Sequence, residues 1–117
     1  MSINAIGYAR VASPENSDTL IENQFDAIRN YAKENDITIT QLFSDVCSSF
    51  KERMQFSNMI GQIKFGDIQT NLILVSSFDR LSRDREQLWG IHETLKTIDV
   101  KIISIEQGEL KTSPIIK

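Results

Sequence analysis

The sequence predicts a three-layer α/β fold, in which a mostly parallel sheet of four or five strands carries helices on both faces. Short runs of β-branched and apolar residues alternate with longer segments whose apolar residues recur every three or four positions. That alternation is the pattern of strands joined by crossover helices. One run, Leu72-Ile73-Leu74-Val75, is apolar throughout, which is typical of a strand covered on both faces. The predicted order is β-α-β-α-β-α-β.

The first strand is predicted at residues 5–11, a short and mostly apolar run that Pro14 and a polar cluster follow. From Thr19 onward apolar residues return at spacings of three and four, and Thr19 with Glu22 has the spacing of a capping box. We therefore expect a helix of about four turns that begins at Thr19.

The middle of the chain repeats this alternation. The β-branched run 37–43 predicts the second strand, and a polar loop over 44–52 follows it. A shorter amphipathic helix is expected between Met54 and Ile63, and Gly66-Asp67 ends it.

The last third of the chain contains two further strands. Residues 72–75 form the most buried strand, and Asp84 is expected to cap a third helix through Gln87. The run 100–105 predicts the fourth strand. We expect the tail after Gln107 to be unstructured.

Composition excludes several classes of protein. The 117 residues suit one domain, and apolar runs of four or five residues are far short of the roughly 20 that a membrane span needs. Without a secretion signal at the N-terminus, we expect a cytoplasmic protein. The single cysteine, Cys47, and single histidine, His92, exclude a Cys/His zinc site. A net charge of −3 limits any nucleic-acid contact to a local site.

Arginines follow three of the predicted strands. In an open parallel sheet, ligands bind beyond the carboxyl ends of the strands, which here points to the loops after Val11, Phe43 and Ser77. The arginines in or beside these loops are Arg10, Arg53, Arg80 and Arg83. We expect them to converge on a phosphodiester, since four guanidiniums at one edge need an anion. The chain has no glycine-rich phosphate loop, so we expect no ATP or dinucleotide cofactor.

These residues resemble the catalytic domain of serine recombinases, the resolvase and DNA-invertase family. The resemblance rests on Tyr8-Ala9-Arg10-Val11, Phe43-Ser44-Asp45, Arg53 and the segment 79–84, Asp-Arg-Leu-Ser-Arg-Asp, and covers about residues 6–108. It implies a resolvase-like fold and flavodoxin-like topology. It also implies DNA cleavage by a serine hydroxyl, a 5′-phosphoserine linkage, strand exchange and religation, without a metal or nucleotide cofactor.

The resemblance also implies roles for particular residues. Matching the family's motifs assigns the scissile phosphate to Arg10, Arg53, Arg80 and Arg83. Asp45 and Asp79 match acidic positions that organise those arginines. Gln24 matches a polar position on the first helix beside the active site, and Asn16 lies where the family commonly has glutamine. We expect both to contact the substrate.

Ala12 departs from the family's pattern. The pattern is Tyr-x-Arg-Val-Ser, and its serine is the nucleophile; the methyl group of Ala12 cannot attack phosphorus. Ser13 is adjacent, but neighbouring residues on a strand face opposite ways, so Ser13 would need a bulge or turn to reach the same phosphate. Either the serine was deliberately replaced, or a natural member has lost or relocated its nucleophile. In both cases we expect phosphate binding with little or no cleavage.

The resemblance implies a catalytic domain over residues 1–108 and a tail, 109–117, that leads toward a dimerisation helix and a DNA-binding region. We therefore expect a piece of a longer protein that forms a dimer or tetramer, whereas this piece binds DNA weakly and is largely monomeric. Two alternatives remain: a degenerate, non-catalytic recombinase homologue, and a flavodoxin-like regulatory binding module. A receiver domain of that second kind needs clustered acidic residues after the first strand, where this chain has Ser13-Pro14-Glu15.

Overall fold

The computed structural model describes residues 3–47 and 53–110. Its strands are β1 Ile3–Val11, β2 Ile37–Val46, β3 Leu72–Val75, β4 Lys101–Ser104 and β5 Gly108–Glu109. Its α-helices are α1 Ser17–Glu34, α2 Met54–Lys64 and α3 Arg85–Lys96. The strands form one sheet in the order β2-β1-β3-β4-β5, parallel except for β5, which runs antiparallel to β4. The predicted α/β fold is confirmed.

The two faces of the sheet carry separate apolar cores. Ile6 and Tyr8 of β1 pack with α2 and α3 in one core, whereas Ala5 and Ala9 pack with α1 in the other. This division follows from the alternation of side chains along a strand. Gly7 lies between these residues, and a Cβ atom there would come within 2.6 Å of a methyl group of Leu42. The helices therefore lie on both faces, as expected.

α1 begins earlier than the sequence predicted. It starts at Ser17, after Asn16, which has a left-handed backbone (φ 58°) and makes no side-chain cap. The turn that Pro14 opens starts the helix, because its carbonyl accepts from the Ser17 amide at 3.2 Å. Thr19 therefore lies inside the helix, and the predicted capping box with Glu22 is wrong. The helix has 18 residues, about five turns.

β2 is longer than predicted. Ser44, Asp45 and Val46, which we assigned to a polar loop, continue to pair with Ala9, Arg10 and Val11 of β1. Polar side chains at these positions do not end the strand because the backbone of β1 continues beside them. Cys47 follows the end of β2, and the rest of the predicted loop, residues 48–52, lies outside the described residues.

The segment after Gln107 also differs from its prediction. Gly108 takes a left-handed turn (φ 86°), and Gly108–Glu109 then pairs with β4 as β5. Leu110 is buried in the core, and its amide donates to the Ile102 carbonyl at 3.0 Å. The expectation of an unstructured tail is therefore wrong for residues 108–110, while 111–117 lie outside the described residues.

The other elements are found where they were predicted, although β1 begins two residues earlier, at Ile3, and β4 is shorter, Lys101–Ser104. β3 occupies residues 72–75, and α3 is capped by Asp84, whose carboxylate accepts from the amides of Glu86 and Gln87. Across residues 3–47 and 53–110, no helix combines the length and apolar character of a membrane span.

Candidate functional site

The sheet opens between β1 and β3. β1 pairs with β3 only as far as Gly7 with Leu74, whereas its pairing with β2 continues to Val11 with Val46. In a sheet of this strand order, β1 and β3 flank the point where the winding reverses, which is where ligands bind in open α/β sheets. A cleft of about 420 Å³ lies there, between the ends of these strands and α1.

Gln24 of α1 completes the free edge of β1. Its amide oxygen accepts from the Arg10 backbone amide at 3.1 Å, and its amide nitrogen donates to the Arg10 carbonyl at 2.9 Å. These two bonds replace those that a neighbouring strand would supply. Gln24 is only 6% exposed. Its two bonds hold the end of β1 in position at the margin of the cleft.

The Arg10 side chain joins three segments of the chain. Its Nε donates to the Arg80 carbonyl at 3.1 Å, its Nη1 to the Cys47 carbonyl at 2.9 Å and its Nη2 to the Asp79 carbonyl at 3.0 Å. The side chain thus ties the end of β1 to the end of β2 and to the 3-10 turn Phe78–Arg80 after β3. In this structure its positive charge is buried among peptide oxygens.

Asp45 is buried and organises the start of α2. One carboxylate oxygen accepts from the Gln55 amide and the other from the Phe56 amide, both at 2.9 Å. The second oxygen also accepts from the Tyr8 hydroxyl at 2.8 Å. Burial, and then the bond to Asp45, raise the pKa of Tyr8 well above its ordinary value. Asp45 therefore fixes the helix that begins directly after Arg53.

Arg53 lies against the other arginines. It is 3% exposed, its Nη1 donates to the Arg80 carbonyl at 3.4 Å, and its guanidinium lies 4.8 Å from the centre of the Phe56 ring. Burial lowers the pKa of Arg53, and the nearby Tyr8 hydroxyl opposes that change. Arg10 and Arg53 thus meet at one peptide oxygen, that of Arg80.

Arg80 turns its own side chain toward the cleft. Its Nη1 donates to the Arg10 carbonyl at 3.2 Å, and it lines the cleft. Its Nε is buried and has no hydrogen-bond partner among the described residues. Within that part of the chain neither Arg10 nor Arg80 forms an ion pair within 4.0 Å. The resulting excess of positive charge favours an anion at this edge of the sheet.

Ala12 and Ser13 lie beside these arginines. β1 ends at Val11, and both residues are exposed in the bend that follows it, where they line the cleft with Arg80. The rule that neighbouring strand residues face opposite ways does not apply beyond the end of a strand. The bend therefore supplies the turn that Ser13 was expected to need.

Three of the predicted site residues stand apart from this cluster. Arg83 is exposed in the segment before α3, and no hydrogen bond joins it to the other arginines in the described chain. Asp79 contributes its carbonyl to Arg10, while the residue itself is exposed. Asn16 is exposed at the start of α1 and does not line the cleft. The structure thus gathers Arg10, Arg53, Arg80, Asp45 and Gln24, with Ala12 and Ser13 beside them.

Sequence reasoning missed part of the cleft wall. Leu20, Asn23, Ser76 and Glu106 also line it. The helical period could have identified Leu20, which lies one turn before Gln24, and Asn23, which lies one turn after Leu20. The loop after β4, which carries Glu106, meets the same strand-end criterion as the loops we considered. Among the described residues, no group of three or more His, Cys, Asp or Glu could hold a metal ion.

Comparison with known sequences gives matches over almost the whole chain. A family model described as the resolvase N-terminal domain matches residues 5–115. The Transposon Tn917 resolvase of Enterococcus faecalis is 31% identical over 103 residues, which are 87% of this chain and 49% of that protein. The chain therefore spans about half the length of this relative.

Solved structures share the fold. A resolvase family site-specific recombinase from Streptococcus pneumoniae superposes with a TM-score of 0.83 at 24% identity, covering 97% of this chain and 80% of that one. The C-terminal catalytic domain of ISC1926 TnpA, an IS607-like serine recombinase, gives 0.77 at 26% identity over 88% and 70%. The N-terminal catalytic domain of TP901-1 Integrase gives 0.76 at 21% over 90% and 78%.

Proposed function

Because this chain belongs to the resolvase family of serine recombinases, we propose that it is a catalytic domain that binds the scissile phosphodiester of DNA. The observation that carries the proposal is the convergence of Arg10, Arg53 and Arg80 at one sheet edge, beside the cleft that Ala12 and Ser13 line. Permanently charged guanidiniums match the oxygens of a phosphodiester. The domain runs at least to Leu110, since β5 and Leu110 belong to its sheet and core, and in a longer protein it works as a dimer or tetramer on DNA in the cytoplasm.

The proposed reaction exchanges one phosphate ester for another. A serine hydroxyl attacks phosphorus and forms a phosphoserine bond; the bond to the 3′-oxygen of the DNA breaks, and that oxygen leaves with a proton as the 3′-hydroxyl. Religation reverses these steps. In this chain, where Ala12 stands at the position of that serine, Arg80 binds the phosphoryl oxygens directly, while Arg10 and Arg53 hold the Arg80 peptide and add positive charge.

The remaining predicted residues have supporting roles in this proposal. Asp45 holds the helix that follows Arg53, and Gln24 holds Arg10. Arg83 is exposed in the segment before α3, where it can contact the DNA backbone outside the cleft. Asp79 holds Arg10 through its peptide carbonyl, and Asn16, exposed at the start of α1, contacts the substrate.

We further propose that the chain is deficient in cleavage, because Ala12 occupies the position of the nucleophile. An activated phosphodiester, bis(4-nitrophenyl) phosphate, tests this independently of any DNA sequence. In Ala12→Ser, the new hydroxyl attacks phosphorus, one 4-nitrophenolate leaves and an aryl phosphate ester stays on position 12. We expect this adduct, located by peptide mass mapping, in Ala12→Ser and not in the unaltered chain. Ala12→Ser combined with Arg80→Ala should form it at least about tenfold more slowly.

Two results would contradict this assignment. An adduct on Ser13 in the unaltered chain, abolished by Ser13→Ala, would show that the neighbouring hydroxyl is the nucleophile. If Arg80→Ala has no effect either on adduct formation or on phosphodiester binding, the cleft is not the phosphate site.

A non-catalytic role in DNA binding is the second candidate, and Ala12 is the observation that favours it. It predicts phosphodiester binding that depends on Arg80, together with a failure of Ala12→Ser to form any adduct. That combination would show that the site binds the phosphodiester but lacks other groups needed for cleavage besides the serine hydroxyl.

A further inference from the structure

The cleft beside Arg80 has a second, less polar wall. Leu20, Asn23 and Ala27 of α1 line it together with Gln24, and their spacing places them on one face of the helix. Leu20 is 45% exposed, so much of its apolar side chain is open to the cleft. The arginine cluster therefore adjoins a surface that is uncharged and partly apolar.

The size of the cleft exceeds the need of one phosphate group. Its volume of about 420 Å³ lies within the ~300–1,000 Å³ range of sites that hold whole small molecules. Arg80 and Gln24 both bond to the Arg10 carbonyl, which places the guanidinium next to the middle of the α1 wall. Leu20 and Ala27 therefore lie in the same cleft as the group that Arg80 offers to a ligand.

The charge of the cleft indicates which groups it can hold besides the phosphate. Glu106 lines the cleft from the side of β4, so a second anion is disfavoured there by repulsion between like charges. Asn23 offers an uncharged amide that can both donate and accept. The cleft therefore suits one anionic group joined to a neutral, partly apolar group with polar edges.

We propose that the α1 wall binds the deoxynucleoside joined to the scissile phosphate. The face of the sugar and base packs on Leu20 and Ala27, and Asn23 contacts the edge of the base. This inference rests on the proposed function, because it takes the phosphate at Arg80 to be part of DNA. It makes Leu20 and Asn23 substrate-binding residues and gives the catalytic domain its own contact with the nucleotide at the cleavage point.

Two small probes separate the phosphate site from the nucleoside site. Dimethyl phosphate carries the diester alone, whereas thymidylyl-thymidine carries the same diester between two nucleosides; NMR titration of the full chain measures both affinities. We expect the dinucleoside to bind more tightly. Leu20→Ala should weaken its binding by about fivefold through lost apolar contact and leave dimethyl phosphate binding unchanged. Asn23→Ala should act in the same direction.

Ile3→Ala is the matched control, because Ile3 is 47% exposed and lies at the opposite end of β1. It should change neither affinity. If Leu20→Ala and Asn23→Ala leave dinucleoside binding unchanged while Arg80→Ala weakens both probes, the nucleoside site is wrong and the proposed function stands. If Arg80→Ala leaves dimethyl phosphate binding unchanged, the proposed function itself fails.

Discussion

At the scale of single residues, hydrogen bonds from buried polar side chains, rather than regular secondary structure, fix the backbone segments of the site. Gln24 supplies a strand's hydrogen bonds to Arg10, and the carboxylate of Asp45 accepts from two amides and one hydroxyl. Such groups are costly to bury unless each bond is made. Replacing one of these side chains should therefore lower the free energy of unfolding, because its partners then stay buried without a hydrogen bond.

Asp45→Ala should lower the free energy of unfolding by about 3 kcal/mol, because it leaves two amides and the Tyr8 hydroxyl without their acceptor. Urea denaturation measures the change. Asp67→Ala is the control, since Asp67 is exposed and should change the value by less than about 0.5 kcal/mol. Equal effects of the two substitutions would show that the Asp45 bonds contribute little.

The raised pKa of Tyr8 should make the folded state less stable at alkaline pH. Burial and the bond to Asp45 raise its pKa in the folded state, while in the unfolded chain the hydroxyl loses its proton near pH 10. Above about pH 10 the unfolded state therefore binds fewer protons than the folded state, and the contribution of Tyr8 to stability falls as pH rises.

Tyr8→Phe removes this contribution. Between pH 8 and pH 11, the urea midpoint of the original chain should fall relative to that of the variant. A constant difference across that range would show that Tyr8 ionises equally in both states.

At the scale of elements, the contact of α1 with the sheet depends on a position without a side chain. A Cβ atom at Gly7 of β1 would lie 2.6 Å from Leu42 Cδ2 and 3.2 Å from Ile28 Cγ2. Gly61 of α2 differs, because a Cβ atom there meets nothing within 4 Å. The two glycines should respond oppositely to the same substitution.

Gly7→Ala should destabilise the fold by about 1–3 kcal/mol, because Leu42 and Ile28 must move to admit the methyl group. Gly61→Ala should stabilise it by about 0.5–1 kcal/mol, since alanine favours the helix. Thermal unfolding of both variants measures the two changes. A stabilising Gly7→Ala would mean that α1 packs less closely on β1 than the structure indicates.

At the scale of the whole molecule, the central strands couple the two cores. Leu74 faces the core that contains α1, while its neighbour Ile73 faces the core of α2 and α3. Trp89, the single tryptophan, packs against the second core. A substitution in the first core should therefore change the unfolding midpoint that Trp89 reports only if both cores unfold together.

Leu74→Ala should lower the free energy of unfolding by about 3 kcal/mol through the cavity that it leaves. Trp89 fluorescence and far-ultraviolet circular dichroism should shift to the same urea midpoint, as expected of a small domain that unfolds in one step. A fluorescence midpoint that stays unchanged would show that the two cores unfold separately.

Local patterns determined much of this protein. The apolar run 72–75 and the helical spacings predicted the fold class, because burial on one or two faces leaves a periodic signature in neighbouring residues. The boundaries at Thr19, Phe43 and Gln107 failed because pairing with another segment, or a turn begun by Pro14, outweighed the local signal.

For the site, the sequence by itself determined which residues are available: the arginines that follow the strands, and a methyl group at Ala12. Only the tertiary structure decided what they contact. Arg10 meets the Arg80 carbonyl across 70 positions of sequence, and Gln24 bonds to a strand edge that is free only because β3 ends early. Side-chain periodicity can be seen in neighbouring residues of the sequence. A hydrogen bond, in contrast, forms with whichever backbone group the fold brings within about 3 Å.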